Sequence, residues 1–152
     1  MATTLLVLAV IATGLYAGFM FSFATGIMPG LKLLDDEQFV AAMRRINEKV
    51  PGPLFLLLFL GFVALPAAAL AVPVTDRTDD ARLLLIGALA CAAASHLITM
   101  AGNIPLNVAL DKSTTPAPET RKAFEARWTR LHLARTAVTT ASFALTAGSA
   151  LA

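Results

Sequence analysis

Leu83–Leu110 reads LLLIGALACAAASHLITMAGNIPLNVAL, twenty-eight residues without a charged side chain. About 20 apolar residues in a helix cross the hydrocarbon core of a bilayer, so this run is long enough to span one. Three further runs lack charge: Met1–Leu31, Val50–Thr75 and Thr136–Ala152. The first two also exceed the spanning length, and the last nearly reaches it. A soluble bundle would need polar stripes along these helices, and there are none. The expected fold is all-α, an integral membrane four-helix bundle. It forms a single transmembrane domain over 1–152, with helices at about 3–28, 54–72, 83–108 and 119–151.

Composition agrees with that class. The 152 residues are 57% hydrophobic and 14% charged, with mean hydropathy +0.73, whereas soluble domains carry about 25% charge. The net charge of +2 sits in short loops flanking the apolar runs, so it is no signal for nucleic acid. Cys91 is the only cysteine and lies inside an apolar run, which excludes an intrachain disulfide and suits a buried spectator thiol. The first run has no basic n-region and stays apolar beyond the length of a signal-peptide core, so it reads as a retained helix.

Between the first two runs, Asp35–Val50 is a different kind of element. Asp35, Asp36 and Glu37 open it and Arg44, Arg45 and Lys49 close it, matching a helix macrodipole. Phe39, Ala42, Met43 and Ile46 recur at helical spacing, predicting an amphipathic helix in the interface, apolar side down. Met28-Pro29-Gly30 is expected to end the first helix, and Pro66 to kink the second. Pro105 is expected to break the third near Ala101. Val74–Arg82 reads as a short polar loop. Gly14, Gly18, Ser22 and Gly26 make a small-residue stripe suited to close helix packing and compatible with a homo-oligomer.

Ten of the twelve basic residues fall in the first and third loops or the start of the last helix; Arg77 and Arg82 are the exceptions. The positive-inside rule then predicts a multi-pass cell-membrane protein with loops one and three cytoplasmic and both termini outside.

On that topology the scattered polar residues converge at one leaflet. Trp128-Thr-Arg-Leu-His132-Leu-Ala-Arg135 puts Trp128, His132 and Arg135 on one helical face where the last run begins. His96, Asn103 and Asn107 share another, within about 20° on an ideal wheel. Asn47 sits at the membrane-facing edge of the amphipathic helix, and Ser22 with Thr25 is expected to line a cavity. Ionisable side chains at this depth suggest a site. Imidazole can move a proton, guanidinium can hold an enolate, phenolate or carboxylate, the amides can donate to an oxyanion, and the indole offers a flat face. The set suits a flat, acidic, lipophilic substrate that loses a proton and meets oxygen in a dry site. Two histidines also leave metal or haem ligation through His132 and His96 open. Nucleotide-binding loops and a Ser–His–Asp arrangement are absent from the sequence.

Four motifs together resemble the anthrone oxygenase-like family of small four-helix membrane proteins. They are Gly14-Leu-Tyr-Ala-Gly18-x-x-x-Ser22 leading to Met28-Pro29-Gly30-Leu31; Met43-Arg-Arg-Ile-Asn47; Asn103-Ile-Pro105-Leu-Asn107; and Trp128-x-x-x-His132-x-x-Arg135. The resemblance implies an oxygenase that converts a lipophilic, aromatic, anthrone-like substrate with molecular oxygen and no cofactor. Asn47, Asn103, Asn107, Trp128, His132 and Arg135 sit at motif positions, and His96 does not. The resulting expectation makes His132 the base and Arg135 the anion stabiliser. Asn103 and Asn107 would orient substrate or oxygen, and Trp128, Asn47 and Ser22 would contact substrate. The competing expectations are a haem- or metal-bound redox protein and a non-catalytic membrane partner whose polar face docks another helix.

Overall fold

The computed structural model describes residues 2–73 and 77–152. Val74, Thr75 and Asp76 of the expected polar loop lie outside the described residues. Five helices and no strand occur among the described residues. They are α1 (Ala2–Lys32), α2 (Asp36–Lys49), α3 (Pro53–Ala71), α4 (Asp79–Lys112) and α5 (Ala117–Ser149). Four are long and α2 is short, so the helix count is five rather than four. By length and composition α1, α3 and α4 are long and apolar enough to cross a membrane. The fourth expected span, in α5, falls short of that measure, because its first half carries charges and only the run from Thr136 is free of them.

The bundle buries many small polar side chains among its apolar core and exposes large apolar ones on its outer face. Thr13, Ser95, Thr99, Asn103, His132, Thr139, Ser142 and Thr146 are buried, while Leu15, Leu54, Leu57, Leu60, Leu83 and Leu97 are exposed. So many large apolar side chains on the outer face depart from the pattern of a protein folded in water and fit an apolar solvent there. Between α4 and α5 small polar groups link the helices: Ser95 and Thr139 hydroxyls lie 2.8 Å apart, and Ser142 donates to the Ala88 carbonyl at 2.8 Å.

Two prolines that were expected to stop helices do not. In α1 a π-helical turn over Phe23–Ile27 precedes Pro29; in α4 one over Thr99–Asn103 precedes Pro105. The Met28 amide bonds to Phe23 O and the Ile104 amide to Thr99 O, each five residues back. A proline ring lacks its own donor and collides with the carbonyl one turn earlier. The wider turn gives that carbonyl room, and each helix continues. Pro66 likewise sits inside α3 without ending it.

Charged residues tie the helix ends. Asp35 caps α2 by accepting from the Gln38 amide at 2.8 Å. Arg121 on α5 donates to the Lys32 and Leu34 carbonyls at the end of α1 and to Asp36 at 3.1 Å; its guanidinium also lies over the Phe39 ring. Its hydrogen bond to Glu125, at 2.7 Å, is the main cause holding its pKa above the ordinary arginine value. Arg44 donates to the Leu110 and Ser113 carbonyls at the end of α4, and Arg77 to those of Leu70 and Ala69 at the end of α3. Arginines thus cover the carbonyl ends of all three apolar helices, where the macrodipole is negative. Loops one and three consequently share one end, and Thr78 meets the carbonyl of Ala152 at the other.

The apolar side of helix α2 packs on the bundle itself. Phe39, Val40 and Met43 are buried against Phe23, Met28, Leu110, Phe124 and Trp128, so α2 closes the loop-one end of the bundle. The small-residue stripe of α1 is only partly a packing face. A side-chain carbon at Gly14 would stand 3.0 Å from Phe143, but Gly18 and Gly26 face open space and Ser22 is exposed.

Candidate functional site

A cavity of about 180 Å³ lies under α2, with walls from all five helices. Its polar lining is Asn47, Thr99, Asn103, Asn107, Trp128 and Arg135, and its apolar walls include Phe19, Phe23, Phe55 and Phe59. Leu56 of α3 and Ile104 of α4 are 46% and 45% exposed. Lining residues thus reach the outer apolar surface at α3 and α4, and Pro51 of the α2–α3 turn is exposed as well.

The π turn of α4 decides which of its polar residues reach this cavity. A regular α-helix drifts as positions four apart are followed, and one wider turn sets the drift back. Ser95, Thr99 and Asn103 are all buried towards the bundle interior, and Asn107 joins Thr99 and Asn103 at the cavity. His96, expected on the face of Asn103 and Asn107, is turned to α3 instead. Its Nε2 bonds to Phe59 O at 3.0 Å, its ring stacks on Phe59 at 4.0 Å between centroids, and its Nδ1 has no partner. The wheel reading assumed uniform pitch across a segment that does not have it.

On α5, Phe124, Trp128 and His132 form a ladder one turn apart. Trp128 stacks on His132 at 4.9 Å and 13°, and on Phe124 at 5.8 Å and 29°. One neighbour lies a turn before and the other a turn after, so the indole is stacked within its own helix as well as lining the cavity. The indole N–H donates to Asn107 Oδ1 at 2.7 Å.

His132 is buried and both ring nitrogens are engaged. Arg135 Nε donates to Nδ1 at 3.1 Å, and Nε2 is 3.1 Å from the Met20 carbonyl of α1. Guanidinium has no lone pair to offer. Nδ1 is therefore the acceptor and Nε2 carries the proton, donated to Met20 O. His132 was expected to act as a base, and in this geometry its one lone pair receives a proton donor. In this arrangement His132 holds the guanidinium of Arg135.

Arg135 is 8% exposed, reaches Thr99 Oγ1 at 3.4 Å, sits 5.4 Å from the Trp128 ring centroid and lines the cavity. No carboxylate pairs with it among the described residues, whose ion pairs are confined to Arg45, Lys49 and Arg121. Asn103 is 1% exposed; its Nδ2 donates to Trp128 O at 3.3 Å, and its Oδ1 is buried without a partner. It therefore presents an acceptor where a donor was expected. Asn107, with Oδ1 held by Trp128, presents its NH₂.

Of the expected site residues, the cavity gathers Asn47, Asn103, Asn107, Trp128 and Arg135, with His132 directly behind Arg135. Ser22 is left outside, exposed and bonded to the Phe19 carbonyl at 2.8 Å. Sequence reasoning missed the Met20 carbonyl, which carries no side-chain signal, and the wall of Phe19, Phe55 and Phe59. Thr99, one hydroxyl in the charge-free run of α4, also touches Arg135. Tyr16, the lone tyrosine, is fully buried with an unpartnered hydroxyl.

The metal and haem readings do not fit this donor set. A metal on His132 would have to displace either Arg135 or the Met20 carbonyl, and His96, turned to α3, does not line the cavity and does not converge with His132. No cluster of three or more His, Cys, Asp or Glu occurs among the described residues.

No curated protein and no solved structure matches the chain. The family model described as anthrone oxygenase matches residues 39–145. That stretch contains the Asn47, Asn103–Asn107 and Trp128–Arg135 motifs and excludes the glycine-rich part of α1. With well over half of its length matched, the chain belongs to the anthrone oxygenase family.

Proposed function

We propose that this protein is a membrane oxygenase that oxidises an anthrone-like substrate with molecular oxygen, drawing the substrate from the bilayer. The observation that carries the reading is Arg135: a buried guanidinium without a carboxylate partner among the described residues, held by His132 against an aromatic-walled cavity. A buried cation left unpaired is costly, so an apolar ligand with an anionic oxygen is its natural complement. Membership of the family supplies the anthrone class.

The chemistry follows from stabilising an enolate. Arg135 holds the substrate carbonyl oxygen, which makes the opposite methylene more acidic, and its proton leaves to water. The enolate passes an electron to O₂, the two radicals join in a C–O bond, and the peroxide takes up a proton. Loss of the second methylene proton and of hydroxide breaks the O–O bond and leaves the new C=O. Overall, substrate and O₂ give quinone and water. Asn107 NH₂ can donate to the peroxide, and Asn103 Oδ1 can accept from its protonated form.

Size sets the pose. An apolar cavity of about 150 Å³ holds one benzene, so about 180 Å³ takes little more than one ring. The remaining rings of a fused substrate would rest in the gap between Leu56 and Ile104, in contact with lipid. The same reading gives the topology: α5 spans with α1, α3 and α4, in a cell membrane. The Arg- and Lys-rich end is then cytoplasmic and both termini lie outside.

The test is oxygen uptake and quinone formation by the reconstituted protein given anthrone under ¹⁸O₂. The expected result is one labelled oxygen in the product, with turnover falling about 10²–10³-fold in Arg135→Gln. Turnover equal in wild type and Arg135→Gln would sink the reading.

A further inference from the structure

A second, larger groove of about 670 Å³ lies on the outer surface between the end of α1 and the start of α5. We propose that it binds the headgroup and upper acyl chain of an anionic phospholipid. This is independent of the oxygenase chemistry and rests only on the bilayer placement.

The two walls have matching polarity. Lys32 marks the loop end of the α1 wall, followed inward by Met28 and Ala24; Lys122 marks the loop end of the α5 wall, followed inward by Arg130 and Leu133. Lys32 to Ala24 is eight residues, about 12 Å along the axis, and Lys122 to Leu133 is eleven, about 16 Å. The groove therefore carries lysines at its loop end and Met28, Ala24 and Leu133 further in, with Arg130 the one cation of the deeper part, a lining that fits a phosphate followed by hydrocarbon.

Charge balance supports the assignment. Lys32, Lys122 and Arg130 are exposed and make no ion pair among the described residues. Glu125, the one carboxylate in the lining, is taken by Arg121 at 2.7 Å. Arg130 is the most informative. It lies only two residues before buried His132, on the outer side of α5, and its Nε turns back to the Ala126 carbonyl at 3.4 Å. A lipid-facing guanidinium at that depth turns towards the interface and seeks an anion. Basic grooves between membrane helices recognise lipid headgroups by this chemistry.

The experiment places the full chain in vesicles of equal phosphatidylcholine and phosphatidylglycerol, extracts it in mild detergent and counts retained lipids by native mass spectrometry. Wild type is expected to keep one phosphatidylglycerol in preference to phosphatidylcholine. The Lys32→Gln/Lys122→Gln/Arg130→Gln variant is expected to lose that preference about tenfold or more. A control, Arg45→Gln/Lys112→Gln/Arg127→Gln, removes three cations from the same end outside the groove and should leave it unchanged. Thermal unfolding in pure phosphatidylcholine checks that both variants fold. Equal loss in the two variants would mean diffuse surface charge and overturn the site, as would equal retention of both lipids by wild type. Stabilisation by glycerol phosphate as strong as by the lipid would reassign the groove to a soluble phosphate and overturn the lipid proposal.

Discussion

The two histidines invite comparison, because they begin alike and end differently. Each points Nε2 at a backbone carbonyl of a neighbouring helix, Phe59 for His96 and Met20 for His132, and each stacks on an aromatic ring. What differs is Nδ1. In His132 it receives the Arg135 guanidinium; in His96 it meets nothing. The same side chain thus serves in one region as a helix clamp and in the other as the seat of a buried cation. Imidazole in a membrane helix is therefore not by itself a catalytic signal. The second nitrogen decides.

The largest effect expected from this contrast is at Arg135. Arg135→Met should lose the activity assayed with anthrone about 10²–10³-fold. Thermal stability in detergent should hold or rise, since an unpaired buried charge is removed. Loss of both together would make Arg135 a folding residue and erase the distinction between the histidines. Next comes His132. His132→Asn keeps an acceptor close to the place of Nδ1 but has no basic nitrogen, whereas His132→Ala has neither. If His132 positions Arg135, Asn should retain activity within about tenfold of wild type while Ala loses about 10²-fold or more. Equal loss in both would restore the base. The pH profile separates the roles too: a positioning histidine leaves the acid limb of kcat unchanged between wild type and Asn.

A smaller effect is expected at the mouth of the cavity. Leu56→Trp adds bulk on its exposed rim without touching Arg135, and it should raise KM for a three-ring substrate about tenfold while leaving kcat nearly unchanged. A fall in kcat alone would put the substrate wholly inside the cavity and remove the lateral pose.

Much of this arrangement was legible because charge is so costly in lipid. The charge-free runs located α1, α3 and α4, and the Trp128–His132–Arg135 spacing located the face of α5 that builds the site. What misled was any inference that assumed a uniform helix. Pro29 and Pro105 read as stops because nothing in local composition announces a π turn, and that turn moved His96 away from Asn103 and Asn107. Ser22 was placed by a four-residue repeat that proves to face outward. The hydrogen-bond partners of His132 were hidden for another reason. Its partners are a carbonyl from α1 and a guanidinium on its own helix, and a one-letter code does not record which nitrogen is occupied.

The smallest expected effect is at His96, and it is the sharpest on the comparison. His96→Phe should keep the stack on Phe59 and delete the buried, unpartnered Nδ1 together with the bond to Phe59 O. A polar contact inside a membrane bundle is worth about 0.6 kcal/mol on average, and an unsatisfied buried polar atom costs about 1–3 kcal/mol. The two changes oppose each other, so stability against denaturing detergent should stay within about 1 kcal/mol of wild type. His96→Ala loses the stack as well and should be the less stable of the pair. Neither variant should change turnover by more than about twofold, because His96 does not line the cavity. A large loss of turnover in His96→Phe at unchanged stability would mean that α3 and α4 must separate during the reaction, with His96 as the latch between the helices that frame the mouth.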